Sequence, residues 1–219
     1  MGQPLAKLTK FLARNRDLIA AGLFTFAAFF AGSDLFSPVR FDRERIEIHA
    51  TANNVHVHGR YHYRNRFPVP VSFSLGLPFP SDATHLAPSE YSVSECTADG
   101  TATREILTRK YHGDVVFRLW FAPSQDKWVC VDYSQPILVS NARYILITTQ
   151  QWHRPLDSGQ YILHLENGAT LLSSNYDLQY SVDGPAVTYA FAESNFLPSQ
   201  DWTFSWQPAS LSASTQEFK

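Results

Sequence analysis

From Arg45 onward, apolar and polar residues take turns. Ile46, Ile48 and Ala50 alternate with Glu47 and His49. Val55, Val57, Gly59, Tyr61 and Tyr63 alternate with His56, His58, Arg60, His62 and Arg64. A period of two puts successive side chains on opposite faces of a strand, so each run predicts a strand with one buried face. The TANN stretch between the runs predicts a tight hairpin, because asparagine tolerates positive φ. If Thr51 pairs with Asn54 across it, His49 faces His56 and Glu47 faces His58.

The same pattern continues to the C-terminal region. Val71, Phe73, Leu75 and Leu77 alternate and then stop at a proline-containing PFP, which cannot continue a central ladder. Further strands are expected over 91–96, 104–110, 114–121, 128–133, 143–150, 161–165, 176–181, 186–192 and 202–206. Asp-Gly and Asn-Gly turn signals lie at 99–100, 167–168 and 183–184. Short strands punctuated by such turns predict an all-β antiparallel sandwich of about 10–12 strands, immunoglobulin-like or jelly-roll-like. The stretch 78–90 is the clearest loop, and Trp202, Phe204 and Trp206 alternate as a core stripe.

The first 36 residues break this pattern. The run LIAAGLFTFAAFFAG from Leu18 to Gly32 is uncharged and almost wholly apolar, with Phe24, Phe26, Phe29 and Phe30 adding bulk. Extended to Phe36, it is a helix of about 28 Å at 1.5 Å per residue, enough to cross a hydrocarbon core. This predicts one N-terminal transmembrane helix, kept as an uncleaved signal anchor. The alternative is a cleaved signal peptide, since Ala31-Gly32-Ser33 offers small residues for cleavage. Lys7, Lys10, Arg14 and Arg16 precede the run and favour a cytoplasmic N-terminus. The expected organisation is a basic amphipathic leader over 1–17, the helix over 18–36, a juxtamembrane linker over 37–44, the β domain over 45–207 and a polar tail over 208–219. The β domain would then lie in the periplasm, anchored to a bacterial inner membrane.

Charge and cysteine content narrow the function. A net charge of -2 gives no basic excess for nucleic acid. The two cysteines, Cys96 and Cys130, fall in the outer domain, where an oxidising compartment favours a disulfide. The SQDK at 124–127 matches the SxxK of serine acyl-transfer enzymes, but it lies between strands where that chemistry needs a helix start. The chain carries no G-x-S-x-G, phosphate-loop, H-E-x-x-H or EF-hand pattern. It reads as a non-enzyme without a cofactor.

Two stretches hold candidate contacts. The histidine-rich strand offers His56, His58, Arg60, His62 and Arg64 as a face that meets water or a partner. With His49 across the hairpin, His56 and His58 are the candidate metal ligands, although the arginines beside them oppose a cation. The segment 151–161 gathers Trp152, His153, Arg154 and Asp157 between strands, where loops often carry function. The expected role is an anchored accessory subunit whose β domain docks on a larger membrane complex, photosynthetic or respiratory electron transfer being examples. The alternative is an anchored periplasmic module that binds sugar, peptide or an envelope polymer. A histidine-based metal protein is the third reading.

Overall fold

A computed structural model describes residues 37–111, 113–166, 168–183 and 186–209. The expected membrane helix with Leu18, Phe24, Phe26, Phe29 and Phe30, its leader and most of the polar tail lie outside the described residues. Among the described residues, no helix is long and apolar enough to cross a membrane.

The described chain is nearly all β. Its strands are β1 (Val39–Ala50), β2 (Asn54–Asn65), β3 (Val71–Leu77), β4 (Glu90–Cys96), β5 (Ala102–Glu105), β6 (Thr108–Tyr111) and β7 (Asp114–Phe121). They continue with β8 (Asp126–Pro136), β9 (Asn141–Tyr144), β10 (Leu156–Leu165), β11 (Thr170–Ser174), β12 (Gln179–Asp183), β13 (Ala186–Phe196) and β14 (Trp202–Gln207). Eight strands form one sheet in the order β12-β13-β10-β1-β2-β8-β4-β5. Two three-stranded sheets, β11-β14-β9 and β3-β7-β6, complete the set.

Most expected strands are present, although β11 is not among the expected ones and β12 begins at Gln179 rather than at 176; three larger differences stand out. The stretch 104–110 is not one strand: β5 ends at Glu105 in the large sheet, and β6 starts at Thr108 in a small one. The stretch 143–150 is also divided. β9 ends at Tyr144, and a 3-10 helix spans Ile147–Trp152. Asp201 turns the chain there by accepting the backbone N–H groups of Leu146 (2.9 Å) and Ile147 (3.2 Å). Thirdly, pairing is not antiparallel throughout, because β1 and β10 run parallel at the middle of the large sheet.

The linker expected over 37–44 is largely strand, since β1 begins at Val39. The pattern was obscured by a β-bulge. Phe41 pairs with Tyr63, Arg43 pairs with His62, and Asp42 is the extra residue between them. An inserted residue reverses which parity faces inward. Val39 and Phe41 are buried before the bulge, and Glu44, Ile46, Ile48 and Ala50 after it.

The buried side of the large sheet contributes Ile46, Ile48, Val57, Val131 and Leu163 to a core that also holds Leu119 and Phe121 of β7 and Trp202, Phe204 and Trp206 of β14. The C-terminal aromatic stripe is therefore core, as its period implies. Cys96 and Cys130 form the expected disulfide, with Cα atoms 5.8 Å apart, and it ties β4 to its neighbour β8.

Candidate functional site

The outward face of the large sheet is a grid set by strand register. Across β2, β1 and β10 its rows are His56–His49–His164, His58–Glu47–Ile162, Arg60–Arg45–Gln160 and His62–Arg43–Ser158. The hairpin forms as expected: Thr51 N–H donates to the Asn54 carbonyl at 2.9 Å, and His49 opposes His56. β8 flanks β2 on the same face with Ser134, Asp132 and Trp128.

Neighbouring strands fix the imidazoles. His56 Nδ1 lies 3.0 Å from Ser134 Oγ, and His164 Nδ1 lies 3.2 Å from Thr188 Oγ1. His58 Nδ1 donates to Asp132. His62 behaves differently from the expectation for a partner-facing residue. It projects outward by register, yet it is only 4 % exposed. The bulge residue Asp42, itself buried, accepts from His62 Nδ1, and the Trp128 ring lies 4.7 Å away. The sequence shows alternation but not the bulge, so the residue that covers His62 could not be read from it.

The structure regroups the metal candidates. Glu47, His49 and His164 place one ligand atom each within 4.8 Å of one another, and the rings of His49 and His164 stack with centroids 4.5 Å apart. His56 and His58, the expected companions of His49, are not in this group. The β4–β5 turn covers His58, and a Cβ at Gly100 would sit 3.5 Å from its Nε2. His164 was missed because the parallel β1–β10 pair that brings it beside His49 has no local sequence signal. Arg45 already holds Glu47 Oε1 with two hydrogen bonds and so competes with a cation for the one carboxylate of the group. Burial pushes Glu47 up, but its hydrogen bond to Arg45 and the charges of Arg45, Arg60 and His58 outweigh that and hold it below the ordinary carboxylate value. For His49, burial and the neighbouring His164 act together to lower it.

Arginines dominate the next two rows. Arg45 donates to Glu47 Oε1 through Nε (2.9 Å) and Nη2 (2.6 Å), and to Gln160 through Nη1 (3.0 Å). Arg60 donates to the Ala98 carbonyl of the β4–β5 turn at 2.8 Å. Arg43, Arg45, Arg60, Trp128, Ser158 and Gln160 are among the residues lining a cleft of about 250 Å³. At the far end of the strands, Arg64 holds Asp126 with two bonds, 2.9 and 3.2 Å, and Arg40 pairs with Asp157.

No family model matches the sequence, and no curated protein matches it. Among solved structures, a Legionella pneumophila protein provisionally described as nutrient-binding superposes with a TM-score of 0.60 at 16% identity, covering 77% of this chain and 67% of its own. The M1 zinc metallopeptidase of Deinococcus radiodurans superposes with a TM-score of 0.47 at 8% identity, over 78% of this chain and 42% of its own. This chain thus spans less than half of the peptidase. The first likeness establishes a shared β-rich fold and nothing about activity.

The other candidate loop is mostly scaffold. The Trp152 ring sits against Phe41, Tyr63 and Phe73, with centroids 5.6–5.8 Å away, so its faces are committed to packing. His153 caps the 3-10 helix in a left-handed conformation, φ 52. Arg154 is partly buried, and Asp157 belongs to β10, where it holds Arg40. The SxxK pair is divided as well. Lys127 donates to Glu95 at 2.7 Å, while Ser124 occupies the β7–β8 turn with φ 55.

Proposed function

We propose that the chain is a non-catalytic accessory subunit, held in a bacterial inner membrane by the helix expected over 18–36, whose periplasmic β domain docks on a larger membrane complex. The large sheet is taken as one wall of a sandwich-like domain with its outward face toward the partner. The observation that carries this reading is that face itself. Its central strands bear arginines, histidines and carboxylates that are held by neighbours and remain partly or fully exposed, among them His49, His56, Arg45 and Arg64. Side chains already held by partners lose less freedom on docking, and arginine suits interfaces. The Cys96–Cys130 bond supports an oxidising compartment.

The test is copurification of the full chain from its native membrane in mild detergent. A partner complex should accompany it, and His56→Glu with Arg64→Gln should release that complex while leaving the chain folded. A chain that migrates alone, or a double variant that retains the complex unchanged, defeats the proposal. The cleft at Arg43 favours a second reading, an anchored module that binds a small ligand; it would show as ligand binding by the isolated chain.

A further inference from the structure

Arginines face one another twice on the sheet, and only one of the two sets is neutralised. Arg40 opposes Arg64, and each has its own aspartate, Asp157 and Asp126. Arg60 opposes Arg45, with Arg43 two residues along the same strand. Like charges directly across a sheet are destabilising. Here a single carboxylate, Glu47, is hydrogen-bonded to Arg45 and also feels the charge of Arg60, whose own hydrogen bond goes to a neutral carbonyl. Arg43 makes no ion pair with a described residue. Glu44 also lines the cleft, so three arginines stand against two carboxylic groups, Glu44 and Glu47, and a positive charge remains in surplus even with both ionised.

We infer that this cleft binds a small oxyanion, a phosphate or phosphate monoester, between Arg43 and Arg60. The chemistry of the walls fits. Guanidinium groups present several N–H donors in a planar fork and bind phosphate oxygens with charge-assisted bonds. Ser158 and Gln160 add neutral polar groups, and Trp128 supplies an apolar wall. A volume of about 250 Å³ suits a phosphate with a few carbon atoms and is too small for a folded segment. Arg45 is held by Glu47 and Gln160, so it supplies field and rigidity while Arg43 and Arg60 close on the ligand. This site rests on the second reading, a small-ligand module, and its failure in titration is distinct from failure of the docking reading, which copurification tests.

The experiment is calorimetric titration of the full chain in nonionic detergent with inorganic phosphate, against chloride at equal ionic strength. Saturable binding is expected, weakened about tenfold or more by Arg43→Gln and by Arg60→Gln, because each removes a charge-assisted bond. Arg118→Gln, on β7 and outside the cleft, should leave it unchanged. Phosphatidylglycerol vesicles that displace phosphate, where phosphatidylcholine vesicles do not, would identify the source as a lipid headgroup; no displacement would identify a soluble ligand. Absence of saturable heat at millimolar phosphate, or equal binding by wild type and both cleft variants, overturns the inference.

Discussion

Gly59 and Gly159 sit on the two strands that flank Glu44, and each lies beneath a tyrosine two residues on. A Cβ at Gly59 would meet the Tyr61 hydroxyl at 2.5 Å and its ring at 2.7 Å; one at Gly159 would meet the Tyr161 ring at 2.7 Å. Neither ring can yield cheaply, because both are buried and their hydroxyls belong to one network. Tyr144 donates to Glu44 Oε1 at 2.7 Å, Tyr161 donates to Oε2 at 3.1 Å, and Tyr61 donates to the Tyr144 oxygen at 2.8 Å. Gly59→Ala should therefore cost about 1–3 kcal/mol, the usual range for overpacking. Gly76→Ala, with nothing near its added Cβ, is the control. Urea unfolding of both variants measures this, and equal midpoints would contradict it. At this scale the alternation of Val55, Val57, Tyr61 and Tyr63 was legible in the sequence. The reason for a glycine inside that strand was not, because it depends on how the Tyr61 ring lies.

Strand existence was read more reliably from the chain than strand membership. The run 114–121 and the hairpin at 51–54 follow from local alternation and turn chemistry, and the structure holds both. The bulge at Asp42 is different: one inserted residue made Val39–Glu44 look like linker, although it is strand on both sides. Arg104–Lys110 alternates too, but Ile106 is buried and its N–H bonds back to Val93, so the chain leaves one sheet and enters another. Near this junction the disulfide has its largest effect. Among the described residues β5 pairs only with β4, and β4 is tied to β8 by Cys96–Cys130 across a separation of 34 residues. A loop of this length restrains the unfolded chain by roughly 4 kcal/mol on the entropic model. Cys96→Ser with Cys130→Ser should lower stability by about 2–4 kcal/mol and raise amide exchange first in β4 and β5. Exchange that rises equally in β10 and β13 would argue against this local role.

Over the whole molecule, the β class was legible and the topology was not, because β1 and β10 pair across more than a hundred residues of chain with no signal at either end. That pairing contributes one titration to the molecule's pH response. It brings Tyr161 to one side of Glu44 while β2 brings Tyr61 to the other, enclosing a carboxyl among buried tyrosines. Burial raises Glu44 from its ordinary 4.5 to about 7, against the lowering effect of the hydrogen bonds from Tyr144 and Tyr161. The sign follows from proton binding. Between pH 4.5 and about 7 the unfolded chain has released this proton and the folded chain keeps it, so the contribution of Glu44 to stability falls as pH rises through that window and then levels off. A span of about 2.5 pH units at 1.36 kcal/mol per unit corresponds to roughly 3 kcal/mol. Glu44→Gln keeps an acceptor for the tyrosines and has no proton to lose. Its stability relative to wild type should improve by roughly that amount from below pH 4.5 to above pH 7, because every other titrating group contributes to both proteins alike. Urea unfolding of the two chains across this range, with the disulfide intact, measures the difference. A difference independent of pH would mean that water or a shift of the tyrosines relieves the buried charge.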